Sequence, residues 1–192
     1  MDFIDAVDEI NPNDLIFLDE SGANLGMTND YAREEGGRRA KMPKPFDAGE
    51  QFSIIGAVCL TGIVAMMYIA SSVNGSIFKT YIEKLLIPKL RRGQFVIFDN
   101  VSFHKSKELI ELIEATGARV VFLPPYSPDL SPIEKMWSKI KEILKRMKPR
   151  SKAEFHAALL EAITSVNEGD FEEWYEVCGY SVAALLYFFK PL

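Results

Sequence analysis

The chain has 192 residues, 48% of them hydrophobic and 26% charged, and a net charge of −5. That length suits one domain with a buried core, and the composition is that of a globular protein, not of a disordered or fibrous one. The acidic balance argues against a simple nucleic-acid-coating protein, and Cys59 and Cys178 lie too far apart for a zinc motif, reading instead as reduced core thiols of a reducing compartment.

Residues 1–13 form a short acidic lead-in, without the basic start and apolar run of a signal peptide. LIFLDE (15–20) is an apolar run that ends in acids and predicts a strand. Residues 21–50 read as irregular, with glycines at 22, 26, 36 and 37 and prolines at 43 and 45. From Phe52 to Phe78 there is no charged residue, so FSIIGAVCLTGIVAMMYIA is long enough to span a bilayer. Its β-branched residues, however, cluster on either side of Thr61-Gly62, which predicts two buried strands, about 52–60 and 63–70, joined by a tight turn.

GSIFKTYIEKLLIPKL (75–90) carries an apolar stripe at helical spacing, and QFVIFDN (94–100) is a buried strand ending in an acid. SKELIELIEATG (106–117) predicts a helix stopped by Gly117, and RVVFLPP (119–125) a strand stopped by prolines. IEKMWSKIKEILKRM (133–147) is a long amphipathic helix with Ile133, Trp137, Ile140, Leu144 and Met147 on its core stripe. SKAEFHAALLEAITSVN (151–167) opens with a capping box from Ser151 to Glu154 and leaves His156 off its apolar face. Three hairpin-linked strands followed by two helix-linked ones predict a mixed α/β sheet flanked by helices, in one domain over 1–192 with a tail at 181–192.

Charge is unevenly spread. Between Lys135 and Lys152 there are eight basic residues against one acid, a window of +7 on an otherwise acidic body. On the long helix Glu134, Ser138, Lys141, Lys145 and Lys148 share one stripe beside the core stripe. An acid heading a cationic row suits a phosphodiester that runs on past a site, although a solvated lysine face is the simpler reading of the lysines alone.

Three acids carry the chemical expectation. Asp19 and Asp99 each end a strand, where ligands of open α/β sheets bind. If those strands are neighbours, two like charges meet and call for a cation, and oxygen-only ligation suits Mg2+ or Mn2+. Glu134, at the head of the long helix, is the candidate third carboxylate. Each has a plainer reading: Asp19 as a turn acid, Asp99-Asn100 as an Asx turn, and Glu134 as the partner of Ser131 in a capping box with Pro132 at the first helical position. His104, in DNVSFHK, could contact a phosphate or begin the next helix. GGRRAKMPKP, with Arg38, Arg39, Lys41 and Lys44, reads as a substrate-contacting arm, not a phosphate cradle; no Walker or dinucleotide glycine motif is present.

LIFLDESG, VIFDNVSFHK, FLPPYSPDLSPIEKMW and the late EVCGY together resemble the catalytic domain of DDE transposases, most of all the bacterial insertion-sequence branch of the Tc/mariner superfamily. The resemblance covers roughly residues 14–180, and the 34 residues between Asp99 and Glu134 match that superfamily's spacing. Ser131 stands where Asn is usual, a change that keeps a good helix N-cap.

The resemblance implies an RNase H-like mixed five-stranded sheet, with Asp19, Asp99 and Glu134 binding two Mg2+ or Mn2+ ions about 3.5–4 Å apart. It implies cleavage of DNA at transposon ends and strand transfer into target DNA at TA dinucleotides. DNA contacts are expected beside these acids from Arg38, Arg39, Lys41, Lys44, Asn100, His104 and Lys105, and from the Ser138, Lys141, Lys145 and Lys148 row. It further implies a bacterial cytoplasmic protein working on the nucleoid, as a homodimer; the apolar segment 182–189 could serve that contact or equally pack on the chain's own core. Relatives carry an N-terminal helix-turn-helix region that this sequence is expected to lack, so a separate helix-turn-helix polypeptide is an expected partner and weak, salt-sensitive DNA binding an expected property. An RNase H-like nuclease or resolvase, and a non-catalytic DNA-binding remnant, are the competing readings.

Overall fold

The computed structural model describes residues 3, 7, 10–27, 49–99 and 106–180, together with the backbone of 31–33 and 39–41. A 3-10 turn at Pro12–Asp14 leads into β1 (Leu15–Asn24). β2 (Tyr31–Arg33) and β3 (Arg39–Lys41) form a small antiparallel ladder of their own, which corrects the irregular reading of this region. β4 (Gln51–Cys59) and β5 (Gly62–Ile69) are the hairpin expected from the uncharged stretch. Among the described residues no helix is long and apolar enough to cross a membrane.

α1 (Gly75–Tyr81) continues through a π turn at Ile82–Leu86 and a 3-10 turn at Ile87–Lys89, where Pro88 ends the helical path. β6 (Phe95–Phe98), α2 (Lys107–Glu114) and β7 (Arg119–Phe122) follow. A 3-10 turn at Pro128–Leu130 precedes α3 (Pro132–Met147). α4 (Lys152–Thr164) and α5 (Glu168–Val177) complete the described chain. The sequence reading missed α5 as a separate helix, although Asn167 and Asp170 form a full capping box at its start.

The five long strands lie in the order β5-β4-β1-β6-β7. β4 runs antiparallel to both of its neighbours, whereas β1, β6 and β7 run parallel. Strand alternation splits β1 between two cores. Leu15 and Phe17 face a layer built from α3, α4 and α5, with Trp137, Phe155 and Tyr175 among its large members. Ile16 and Leu18 face the opposite layer, with Phe78 and Tyr81 of α1 and Leu109 and Ile113 of α2. Phe52 stacks on Phe155 at a ring separation of 4.0 Å, which ties β4 to α4.

α3 is buried over a wider arc than its predicted stripe. Met136 and Ile143 join Ile133, Trp137, Ile140 and Leu144 in the core, because both the sheet and its neighbouring helices cover α3. Met147 is exposed, contrary to expectation: it is the last helical residue, and Lys148 turns the chain away with a φ of 51°. Cys178 is buried as expected, but Cys59 is only half-buried; both are free thiols.

Candidate active site

Leu18 pairs with Phe98 in parallel register, and each is followed by an aspartate. Asp19 and Asp99 therefore lie at one level, just past the last β1–β6 pair; Asp99 follows the end of β6, but Asp19 does not end its strand as expected, because pairing with β4 carries β1 on to Asn24. β1 continues past this point against β4, where Asp19 lies opposite Gly56. Asp19 has the parity of Leu15 and Phe17, so it belongs to the α3 side of the sheet.

The chain after β7 closes the site. Asp19, Asp99 and Glu134 line one cavity of about 540 Å³, whose wall is Leu123, Pro124, Pro125, Tyr126, Ser127, Pro128 and Ser131. The prolines stiffen this wall. Tyr180 fixes its far end, donating its hydroxyl to the Leu130 carbonyl at 2.6 Å while its ring packs 5.0 Å from Phe17. Tyr126 is fully exposed at the rim with a φ of 57°, a left-handed conformation uncommon outside glycine.

The capping reading of Glu134 fails. Ser131 makes no side-chain capping bond; its backbone carbonyl accepts from the Glu134 N–H at 3.1 Å. Pro132 starts α3 as expected, needing no donor at that position. The Glu134 carboxylate is exposed and lines the cavity.

Asp19 is the electrostatic centre of the site. Burial pushes its carboxyl up to about 7, helped by the negative charges of Glu134, Glu20 and Asp99, while a hydrogen bond from the Glu20 backbone offsets part of the rise. The Trp137 indole N–H donates to Asp19 Oδ2 at 3.0 Å. Trp137 was expected only as core; its donor role leaves no mark on a helical wheel. Tyr180 likewise carries no signal of its own beyond the EVCGY motif, because its link to the wall crosses 50 residues of sequence.

Among the described residues, no three acidic, histidine or cysteine side chains already converge as a ready-made metal cage. The charged groups around the cavity are nonetheless all carboxylates, and Asp19 is held above the ordinary carboxylate range by burial and by its acidic neighbours. Such a set fits a hard divalent cation, which would relieve the repulsion as the carboxylates close on it.

The other candidates divide. Arg38, Lys44, Asn100, His104 and Lys105 lie outside the described residues, as does segment 182–189, and only the backbone of Arg39 and Lys41 is described, on β3. Ser138 is exposed and donates its hydroxyl to the Glu134 carbonyl at 3.1 Å. Lys141 and Lys145 lie half-buried on α3 and Lys148 caps its end. Two other lysines of the basic window are used within the fold: Lys139 pairs with Asp170 at 2.5 Å and Lys152 with Glu50 at 2.8 Å. His156 is exposed, as expected, and shares a hydrogen bond with Tyr68 at 2.9 Å.

The family model of the DDE superfamily endonucleases matches residues 14–156, and the chain belongs to that family. No curated protein sequence matches it. Among solved structures, a pre-cleavage Mos1 transpososome superposes with a TM-score of 0.74 at 13% identity, over 96% of this chain and 58% of that one. A Mos1 transposase paired-end complex with the left transposon end gives 0.72 at 13% identity, over 88% and 53%. The catalytic domain of Mos1 mariner transposase gives 0.66 at 14% identity, over 92% and 84%. The chain thus spans just over half the length of the first two proteins, and its fold is the RNase H-like one of that catalytic domain.

The raised Asp19 carboxyl gives a signed prediction for the metal-free protein. Between about pH 4 and pH 7 the folded state keeps a proton that the unfolded chain releases, so Asp19 lowers stability as pH rises through that window. Asp19→Asn keeps an acceptor for Trp137 and removes the charge. Urea unfolding in EDTA should find it more stable than wild type at pH 8, by about 2–4 kcal/mol, with the difference shrinking toward zero at pH 4. A difference that does not change with pH would contradict the account.

Proposed function

We propose that this chain is the catalytic domain of a DDE transposase of the Tc/mariner superfamily, in its bacterial insertion-sequence branch. In this reading it cleaves DNA at transposon ends and joins the freed 3′ ends to target DNA at TA dinucleotides. The observation that carries the reading is the single cavity lined by Asp19, Asp99 and Glu134, in a chain of the DDE endonuclease family. Asp19, Asp99 and Glu134 are the groups that would hold the metal. Bound Mg2+ or Mn2+, two ions per site in this reading, would activate the attacking oxygen and stabilise the leaving one.

The protein's own part is to place the phosphate. Asp19 comes from β1 of the sheet and Asp99 from the residue that follows β6, and Glu134 comes from the first turn of a helix packed on the sheet. Lys141 and Lys145 follow Glu134 about 10 Å and about 16 Å along the helix axis, a run that suits successive backbone phosphates. Tyr126 offers an exposed ring at the cavity mouth against which a base can stack. Support for a DNA substrate also comes from the fold's likeness to structures of Mos1 with transposon-end DNA, and for the metal from likeness to Mos1 complexes with Mn and with Mg. End recognition would come from a helix-turn-helix region elsewhere, and two copies would bridge two ends.

A pre-cut transposon end incubated with target DNA and Mg2+ should yield joined product. Asp19→Ala, Asp99→Ala and Glu134→Ala should each lower cleavage and joining by at least about 1,000-fold, roughly 4 kcal/mol of barrier, with circular dichroism unchanged. Cleavage without joining would favour a plain nuclease, and normal cutting by Glu134→Ala would remove it from the site. Lys141→Ala and Lys145→Ala should each weaken DNA binding for all sequences alike. Each should also flatten the plot of log affinity against log salt by about 0.9; an unchanged slope would return these lysines to the solvated face.

A further inference from the structure

Trp137 is 2% exposed, yet its one polar atom is not spent inside the core: the indole N–H reaches Asp19 Oδ2 at 3.0 Å. The path for the ring is opened by Gly56, which sits across the strand pair from Asp19. A Cβ at that position would lie 2.8 Å from Trp137 Cη2 and 3.0 Å from Cζ2, closer than a side chain tolerates. Gly56 has no positive φ to explain it, so space for the indole is what the glycine provides. Ile133 Cδ1, 3.6 Å from the same point, packs alongside. Three elements thus converge on one carboxylate: β1 carries it, β4 yields room, and α3 delivers the donor.

A carboxylate on a short side chain can rotate about its Cβ–Cγ bond. A hydrogen bond to one oxygen, from a ring locked in the core, stops that rotation and leaves the group set toward the cavity it lines. The same helix carries Glu134 one turn earlier, so its register places the donor for Asp19 and the third acid together.

We propose that Trp137 is a positioning residue for Asp19: it holds the carboxylate in its cation-binding orientation, and Gly56 is the position that admits it. The inference rests on the metal-binding reading of the three acids. It differs from a core-packing role because it requires the N–H and not merely the ring.

Calorimetric titration with Mn2+ tests it. Trp137→Phe should weaken Mn2+ binding by about 10-fold or more, while Trp174→Phe, at the other tryptophan, binds as wild type does. Incorporation of 3-benzothienylalanine at position 137, which keeps the ring shape and lacks the N–H, should reproduce the loss in a protein of near wild-type melting temperature. Gly56→Ala should weaken binding as well, since it displaces the ring. Wild-type Mn2+ affinity in the benzothienylalanine protein would overturn the proposal and leave the metal reading standing. Wild-type protein that binds Mn2+ no better than Asp19→Ala would overturn the metal reading, and this proposal with it.

Discussion

Leu18 of β1 pairs with Phe98 of β6, and the two strands run in the same direction. A parallel pair keeps residues of equal offset level with one another, so the aspartates that follow are carried to one place by backbone hydrogen bonds alone. Sliding either strand by one residue would move its aspartate to the opposite face of the sheet, under a different layer of helices. That register is secured from both sides. Leu15 and Phe17 bury into one core and Ile16 and Leu18 into the other, so a one-residue slip of β1 would carry Asp19 into the place of Leu18, inside the opposite apolar layer.

The third acid depends on a longer chain of supports. Glu134 belongs to a helix whose start is set by Pro132, and the approach to that start is a proline-stiffened wall held at Leu130 by the Tyr180 hydroxyl. Tyr180 itself sits on Phe17, inside the core that also fixes Asp19. Trp137 closes the loop by joining the helix to the Asp19 carboxylate over Gly56. Packing of the α3 face therefore sets both the position of the acids and the orientation of one of them. Asp19 bears an electrostatic cost of the assembly: its carboxyl is raised to about 7 by burial and by its acidic neighbours.

Much of this was legible in the sequence, for local reasons. Both aspartates stand out because apolar runs stop at them, although only Asp99 lies at a strand's end, and the spacing of apolar residues identified α3 and the β4–β5 hairpin without reference to any partner. Harder features were those fixed by contacts across the fold. Trp137 fits a core stripe perfectly well, and only the structure reveals that its N–H faces a carboxylate 118 positions away. Gly56 gives no signal of its own within the apolar run 52–60, whereas in the structure it leaves room for a ring from another element. The capping reading of Glu134 failed because the Ser131 side chain makes no bond to the helix and Ser131 lines the cavity. The β2–β3 ladder lies in a glycine- and arginine-rich stretch whose composition gives little strand signal.

The central claim is that Asp19, Asp99 and Glu134 act as one cation site at the end of the β1–β6 pair. Anomalous diffraction from crystals soaked in Mn2+ tests it directly. The account predicts manganese density ligated by Asp19 and Asp99, with the Glu134 carboxylate drawn in to complete the site. Density elsewhere on the protein, or no density in the cavity at a concentration that supports DNA joining, would contradict it.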